Sequence, residues 1–182
     1  DGAHLLDIGG ESTRPGSSPI TVSQELDRDI PVIQTLAANI SVPISIDTSK
    51  SIVADAALAA GASIVNDVWG LRQDPELGNI ISKHRSAVIL MHNSSRPLDT
   101  ETNEVLGNRY TGSLHNDLLP YIRTDLENSI AMARNANIDK KNIVIDPGIG
   151  FGKSVSQNKR LINELHYFTE LGCPILIGPS RK

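Results

Sequence analysis

Polar side chains stand at the ends of several short apolar runs of the sequence. They are Asp7, Asp47, Asn66, His92 and Asp146, and a last run leads into Ser180-Arg181-Lys182. A carboxylate accepts hydrogen bonds or exchanges protons, an amide both donates and accepts, and a lysine carries a compact positive charge. Side chains of these types can grip a flat polar ligand and place charge beside it.

The first chemical segment is residues 7–16, DIGGESTRPG. It leaves its apolar run through two glycines and presents Arg14 on a loop restricted by Pro15 and Gly16. A guanidinium there can fork onto a carboxylate or a phosphate, although an ordinary solvated loop is the alternative. Asp7 and Glu11 could tie this loop down as easily as contact a ligand.

Asp47 and Asn66 are the best candidates for reading a ligand. Asp47 follows three residues of alternating polarity, and its alternative role as a helix cap is weakened because Ser49 is available to cap. Asn66 stands beside Asp67, so the two-residue period of a strand predicts that they face opposite sides. An amide that donates and accepts suits the edge of a heterocycle, and this favours Asn66 as the residue that enters the site.

A glycine-rich segment, residues 145–153 (IDPGIGFGK), fits neither common nucleotide motif. A Walker A loop needs glycine where this segment has Pro147, and the dinucleotide pattern needs glycine where it has Lys153. What remains is Asp146 at the end of a run and Phe151 between glycines. Phe151 is available to cover an aromatic ligand, with folding back onto the core as the alternative.

Metal hydrolysis and nucleophilic catalysis find little support in the sequence. No second histidine stands at metal-ligand spacing from His92, which is then more simply a hydrogen-bonded structural residue. No G-x-S-x-G nucleophile elbow occurs, and Cys173 precedes an apolar run at the end away from the polar residues. A zinc site and a catalytic nucleophile are therefore not expected.

Short apolar runs alternate with segments of helical period along the whole chain. The predicted strands are 4–8, 43–46, 63–65, 87–91, 142–145 and 174–177. The predicted helices are 23–38, 51–60, 75–83, 115–136 and 157–171, with Ser23 and Ser49 as candidate caps. Only residues 93–112 form a long irregular segment, which we interpret as a surface excursion.

This alternation predicts an α/β fold with parallel strands, either a doubly wound open sheet or a (β/α)8 barrel. Polar residues at the end of nearly every run favour the barrel, which builds its site from several strands. Six units in 182 residues fall short of the eight in roughly 250 residues of a closed barrel. We expect one domain over residues 1–182, an incomplete TIM barrel, cut from a longer protein because it opens on Asp1.

Composition excludes several classes of protein. The chain has 39% hydrophobic and 21% charged residues with a net charge of −4, which is typical of a globular domain without a nucleic-acid footprint. No apolar run approaches the roughly 18 residues of a membrane helix, so no membrane partner is expected. A single cysteine favours a reducing compartment, with the cytoplasm as the default location.

On these residues the sequence closely resembles the dihydropteroate synthase family, the folate-pathway branch of the pterin-binding enzymes. The resemblance covers essentially the whole chain in five segments that follow the family's order. They are residues 7–16, 45–48 (SIDT), 65–67 (VND), 146–151 (DPGIGF) and 180–182 (SRK). The first of these segments is the most specific.

The resemblance implies a TIM-barrel transferase that joins 4-aminobenzoate to the methylene carbon of 6-hydroxymethyl-7,8-dihydropterin diphosphate, with Mg²⁺ assisting release of diphosphate. The residues implied to line the pterin pocket are Asp47, Asn66, Asp146 and Lys182, of which Asp47 and Lys182 are the catalytic candidates. The residues implied to receive 4-aminobenzoate are Thr13, Arg14, Pro15 and Phe151.

Members of the family also carry functional residues outside the span of this chain. They have an asparagine for metal and diphosphate before the position of Asp1, and a serine, an arginine and a histidine after Lys182. We therefore expect the metal ligand to lie before residue 1 and any activity to belong to the parent protein, as a possible homodimer. A methyltetrahydrofolate-binding methyltransferase domain and a non-catalytic pterin-binding barrel remain as alternatives.

Overall fold

A computed structural model describes residues 2–13, 17–95, 100–101, 109–110 and 117–179. The strands are β1 (Leu6–Ile8), β2 (Ile44–Asp47), β3 (Ile64–Asp67), β4 (Ala87–Met91), β5 (Thr100–Glu101), β6 (Arg109–Tyr110) and β7 (Ile143–Asp146). The helices are α1 (Val22–Asn39), α2 (Ser51–Ala60), α3 (Leu77–His84), α4 (Leu118–Asn135) and α5 (Val155–Asn163). Two 3-10 segments, Lys140–Asn142 and Leu165–Leu171, complete the described elements.

Five strands form one parallel sheet in the order β1-β2-β3-β4-β7. This order follows the chain without a reversal, so the described sheet has no switch point of the doubly wound kind. Right-handed crossovers between neighbouring parallel strands place successive helices on the same face. The predicted α/β class with parallel strands is confirmed.

The edge of the sheet beyond β7 and the excursion after β4 differ from the prediction. The apolar run at 174–177 contributes a single parallel bridge between Ile145 and Ile175, with Leu176 N–H donating to the Ile145 carbonyl at 2.8 Å. Within the excursion, β5 and β6 pair as a short antiparallel ribbon that the polar sequence did not suggest.

Side chains on one face of the sheet form the main hydrophobic core with the helices. They are Ile44, Ile46, Val65, Val88, Leu90, Ile143 and Ile145, all fully or nearly fully buried. Helix residues such as Ile33, Leu77 and Leu126 pack into the same core. Because burying one such side chain contributes about 1.5–3 kcal/mol, this face fixes the strand register and thereby the direction of the opposite face.

Helix caps differ from the predicted ones. Helix α1 begins after Thr21, whose hydroxyl accepts the Gln24 N–H at 3.2 Å in a capping box, so Ser23 is not the cap. Helix α2 begins after Lys50, and the carboxylate of Asp74 accepts the Ser51 N–H at 2.7 Å. The last predicted helix ends early, at Asn163, and continues only as a 3-10 segment.

None of the helices in the described part of the chain has the length and apolar character needed to cross a membrane.

Candidate active site

The face of the sheet opposite the main core carries the polar residues. Strand register places Asp7 beside Ser45, Asp47 beside Asn66 and Met91 beside Asp146. Residues in register on neighbouring parallel strands share a face, so these polar side chains project from the same side. From the spacing between strands, Asn66 and Asp146 lie about 10 Å apart across β4. The structure thus gathers Asp47, Asn66 and Asp146 into what we call the polar face.

Asp47 is the electrostatic centre of the polar face. Loss of solvation at its half-buried carboxyl group, together with repulsion from the nearby carboxylates of Asp7 and Asp67, raises the pKa of Asp47 to about 7. No hydrogen bond or ion pair from another described residue satisfies Asp47. A carboxyl with this pKa changes charge near neutral pH, a property typical of functional sites.

Asp7 and Asn66 are joined across the polar face. The Asn66 Nδ2 group donates to Asp7 Oδ2 at 3.0 Å, and the Ser45 hydroxyl donates to Asp7 Oδ1. Sequence analysis left open whether Asp7 ties down the loop after β1 or contacts a ligand. Among the described residues, Asp7 bonds to side chains of the polar face and not to the loop after β1 or to the core.

Asp67 points the other way, as the period of the strand predicted. It is fully buried and accepts hydrogen bonds from Ser49 Oγ at 2.7 Å, Trp69 N–H at 2.9 Å and Leu71 N–H at 2.6 Å. Burial raises the pKa of Asp67 despite these donors. Ser49 is therefore engaged with Asp67 instead of capping α2, and Asp67 organises the turn after β3.

Asp146 is buried at the end of β7, where Gly148 N–H donates to its Oδ1 at 2.7 Å. This hydrogen bond fixes the direction of the carboxylate. The following loop depends on its glycines: Gly148 has φ +73°, and a Cβ there would lie 1.9 Å from the His92 carbonyl oxygen. The same requirement holds at Gly152, with φ +66° and backbone of Ser94 within 2.4 Å. These glycines serve close backbone packing, which explains why no phosphate motif fits.

Lys153 holds the loop after β7 in place, a role that the sequence did not reveal. Its ammonium group, 3% exposed, donates to the carbonyl oxygens of Gly148 at 2.8 Å and Phe151 at 3.0 Å, and lies 3.5 Å from that of His92. It thereby holds the loop that carries Phe151 against the end of β4. The signal in the sequence is a lysine directly after a glycine-rich run. Such a lysine can bind the carbonyl groups of its own loop as well as a phosphate.

The loop after β1 is anchored by ion pairs. Lys50 bridges Glu11 and Glu25, and the fully buried Glu25 also accepts the Thr48 hydroxyl at 2.6 Å. Glu11 therefore ties the loop down, one of the two roles left open for it. The anchor connects the loop to the residues that directly follow Asp47.

Several predicted residues are placed only in part. Thr13 is half-buried at the end of the described part of the loop, and Phe151 is half-buried beside Lys153. Arg14, Pro15 and Lys182 lie outside the described residues.

His92 belongs to the framework beneath the site. It is buried in edge contact with Tyr121, ring centroids 5.3 Å apart, and its Nε2 lies 3.6 Å from Asp125 Oδ2. Across the described ranges, no three His, Cys, Asp or Glu side chains form a group that could hold a metal ion.

The profile of the family described as pterin binding enzyme matches residues 1–182. The chain belongs to this family. It is 46% identical over 182 residues to the dihydropteroate synthase of Bacillus subtilis, covering all of this chain and 58% of that relative.

Solved structures of pterin-binding enzymes agree with the described fold. The chain is similar to the Xanthomonas albilineans dihydropteroate synthase with 4-aminobenzoic acid, with a TM-score of 0.88 at 42% identity over all of this chain and 60% of that one. It is also similar to the enzyme of that organism in complex with 7,8-dihydropteroate, with a TM-score of 0.83 at 40% identity and the same coverage. The chain spans about three fifths of the length of these relatives.

Proposed function

We propose that this chain supplies the pterin-binding part of a dihydropteroate synthase. The reaction condenses 6-hydroxymethyl-7,8-dihydropterin diphosphate with 4-aminobenzoate to give 7,8-dihydropteroate and diphosphate in folate biosynthesis. The single observation that carries this proposal is the polar face, where Asp47, Asn66 and Asp146 project together from one side of the sheet. Relatives that bind 4-aminobenzoic acid and 7,8-dihydropteroate support the choice of substrates.

Asp146 and Asn66 are the proposed readers of the pterin ring. A 2-amino-4-oxo pyrimidine presents adjacent N–H donors, and a carboxylate accepts two such donors in the geometry of a guanidinium pair. The Gly148 N–H holds the Asp146 carboxylate in one direction, so recognition costs little further ordering. The amide of Asn66, about 10 Å away, addresses other polar atoms of the bicyclic ring.

Asp47 is the proposed stabiliser of positive charge in a dissociative displacement. The bond between the methylene carbon and the diphosphate oxygen breaks, and its electron pair leaves with diphosphate. Positive charge then spreads from the methylene carbon into the pterin ring. The neutral amine of 4-aminobenzoate bonds to the carbon, and the resulting ammonium group loses its proton to solvent water. A half-buried carboxylate stabilises such a charge more strongly than one in water, because the surroundings screen it less.

The proposed receiver of 4-aminobenzoate is the rim formed by the loops after β1 and β7. Thr13 and Phe151 belong to it, and the resemblance adds Arg14 and Pro15, whereas it assigns Lys182 to the pterin pocket. Lys153 supports this assignment because it holds the backbone of Phe151 in place, and an aromatic side chain so held can cover an aromatic ring.

Mg²⁺ stays a prediction from the resemblance, with its ligand expected before residue 1. The described residues bring together no set of three His, Cys, Asp or Glu side chains that could hold a metal ion, so they offer no ready-made cage for magnesium. We route no step of the reaction through the metal.

We further infer that the sheet is part of a TIM barrel, with residues 1–182 as one pterin-binding domain. The sequential strand order, the helices on one face and the polar residues on the other support a barrel, whose inner face holds the ligand. The family profile spans all of residues 1–182, which supports a single domain. A homodimer of the full-length protein also stays a prediction.

The test is formation of 7,8-dihydropteroate and diphosphate by the protein at its full gene-encoded length when both substrates are added. We expect Asp47→Asn to lower kcat about 100-fold, as for loss of one preorganised charge interaction, with pterin affinity changed less than about threefold. Asp27→Asn is the matched control, because it removes a carboxylate from the exposed surface of α1.

Three results would contradict the proposal in different ways. Methyl transfer from methyltetrahydrofolate would favour the methyltransferase alternative, and pterin binding without diphosphate release would favour a non-catalytic barrel. An Asp47→Asn protein with unchanged kcat would remove Asp47 from the reaction while leaving the substrates in place.

A further inference from the structure

We propose that Asp7 is a positioning residue that fixes the side-chain amide of Asn66 in one orientation for pterin recognition. The inference deepens the proposed function and rests on it. The sequence allows Asp7 either to anchor the loop after β1 or to contact a ligand, and it assigns neither role.

The hydrogen bond between the two residues determines the orientation of the amide. An ionised carboxylate only accepts, so the group of Asn66 that faces Asp7 Oδ2 at 3.0 Å must be the NH2. The carbonyl oxygen of Asn66 is then directed away from Asp7. Without Asp7 the amide can turn over, and it presents acceptor and donor to a ligand with equal ease. A ligand N–H would meet the correct oxygen only in part of the population.

The position of Asp7 in the sheet argues against a purely structural role. Asp7 is exposed, and its partner Asn66 lies two strands away, so the contact crosses in front of β2 without joining backbones. Ser45, on the intervening strand, holds the second oxygen of Asp7. An exposed hydrogen bond of this kind contributes at most about 1 kcal/mol to stability.

The carboxylate of Asp7 repels the neighbouring carboxylate of Asp47, and a purely structural role would not require this repulsion. The charge of Asp7 is the largest Coulombic contribution to the raised pKa of Asp47, so it opposes ionisation of the neighbouring carboxyl. A serine or asparagine would accept a hydrogen bond without this repulsion. A carboxylate adds one property that those side chains lack: it cannot donate, and therefore it admits only one orientation of Asn66.

The test measures affinity for 6-hydroxymethylpterin by calorimetry in Asp7→Ala, Asp7→Asn, Asn66→Ala and the double variant Asp7→Ala/Asn66→Ala. We expect Asp7→Ala to weaken binding about twofold, because only about half of the population then holds the amide in the correct orientation. Asp7→Asn can also donate and therefore admits both orientations of Asn66, so it should weaken binding about as much as Asp7→Ala does. The double variant should bind as Asn66→Ala does, because Asp7 acts only through Asn66. Asp27→Ala is the matched surface control.

Side-chain amide NMR signals of Asn66 give a readout independent of activity. We expect them to move in both Asp7→Ala and Asp7→Asn, because both variants admit the second orientation of the amide. Unchanged affinity in Asp7→Ala, or independent losses in the double variant, would overturn the proposal while the proposed function stands. If the unaltered protein does not bind 6-hydroxymethylpterin, the proposed function fails and this role of Asp7 fails with it.

Discussion

Replacing Asp47 with asparagine should change how the stability of the protein depends on pH. Burial and neighbouring carboxylates raise the pKa of Asp47 to about 7 in the folded chain, whereas an aspartate in an unfolded chain titrates near about 3.9. The folded state therefore holds the proton more tightly than the unfolded state. The contribution of protonated Asp47 to the free energy of unfolding is fully present below about pH 4 and is lost as the pH rises through about 7.

The size of the effect follows from the difference between the two pKa values. Three units correspond to about 4 kcal/mol for a group shielded from solvent. Asp47 is only half-buried, and solvent screening reduces the expected contribution to about 2 kcal/mol. Asparagine does not titrate, so Asp47→Asn should gain about 2 kcal/mol of unfolding free energy relative to the original protein as the pH rises from about 4 to 8.

Urea unfolding of both proteins at several pH values measures this difference, with coincident m-values as the check on two-state behaviour. Asp29 and Asp67 also have raised pKa values, caused mainly by burial, but they are present in both proteins and cancel in the comparison. Asp27→Asn controls for the change in net charge. A difference between the two proteins that stays constant from pH 5 to 8 would refute the raised pKa of Asp47 and with it the electrostatic description of the polar face.

Two further substitutions test the loops that border the polar face. Lys50→Met should destabilise the protein by about 2 kcal/mol in urea unfolding, since it leaves the buried Glu25 without its cation, whereas Lys141→Met, at a site 79% exposed, should change stability by less than about 0.5 kcal/mol. Equal losses would mean that the anchor contributes nothing. Gly148→Ala should cost about 3 kcal/mol in the same assay, because alanine is strained at φ +73° and its Cβ would collide with the His92 carbonyl oxygen. A loss below about 0.5 kcal/mol would contradict the close packing of this loop.

The strands were predictable because their chemistry is local. Runs such as Ala87–Met91 are apolar on consecutive residues, the mark of a strand in a parallel sheet with both faces covered. The period of two placed Asn66 and Asp67 on opposite faces, and the preference for an amide at a heterocycle correctly selected Asn66 for the polar face. The candidate residues at strand ends could also be predicted to lie near one another, because parallel strands place their carboxyl ends at the same edge of the sheet.

Contacts between distant segments were not predictable from the sequence. Asp74 caps α2 from 23 residues away, whereas the sequence rule considers only residues just before a helix and therefore indicated Ser49. Lys153 bonds to backbone carbonyl oxygens, including one 61 positions earlier, and carbonyl groups leave no trace in residue types. The pairing of Asp7 with Asn66 spans 59 positions and depends on the sheet bringing β1 and β3 close together.

The most direct test of the central claim is an NMR titration of the isotope-labelled protein with 6-hydroxymethylpterin. If the polar face binds the ring, the largest shift changes should fall on Asp47, Asn66 and Asp146, with little change among core residues such as Val65 and Ile145 on the helix side of the same strands. Changes concentrated on the helix side, or no saturable change at any residue, would contradict the claim.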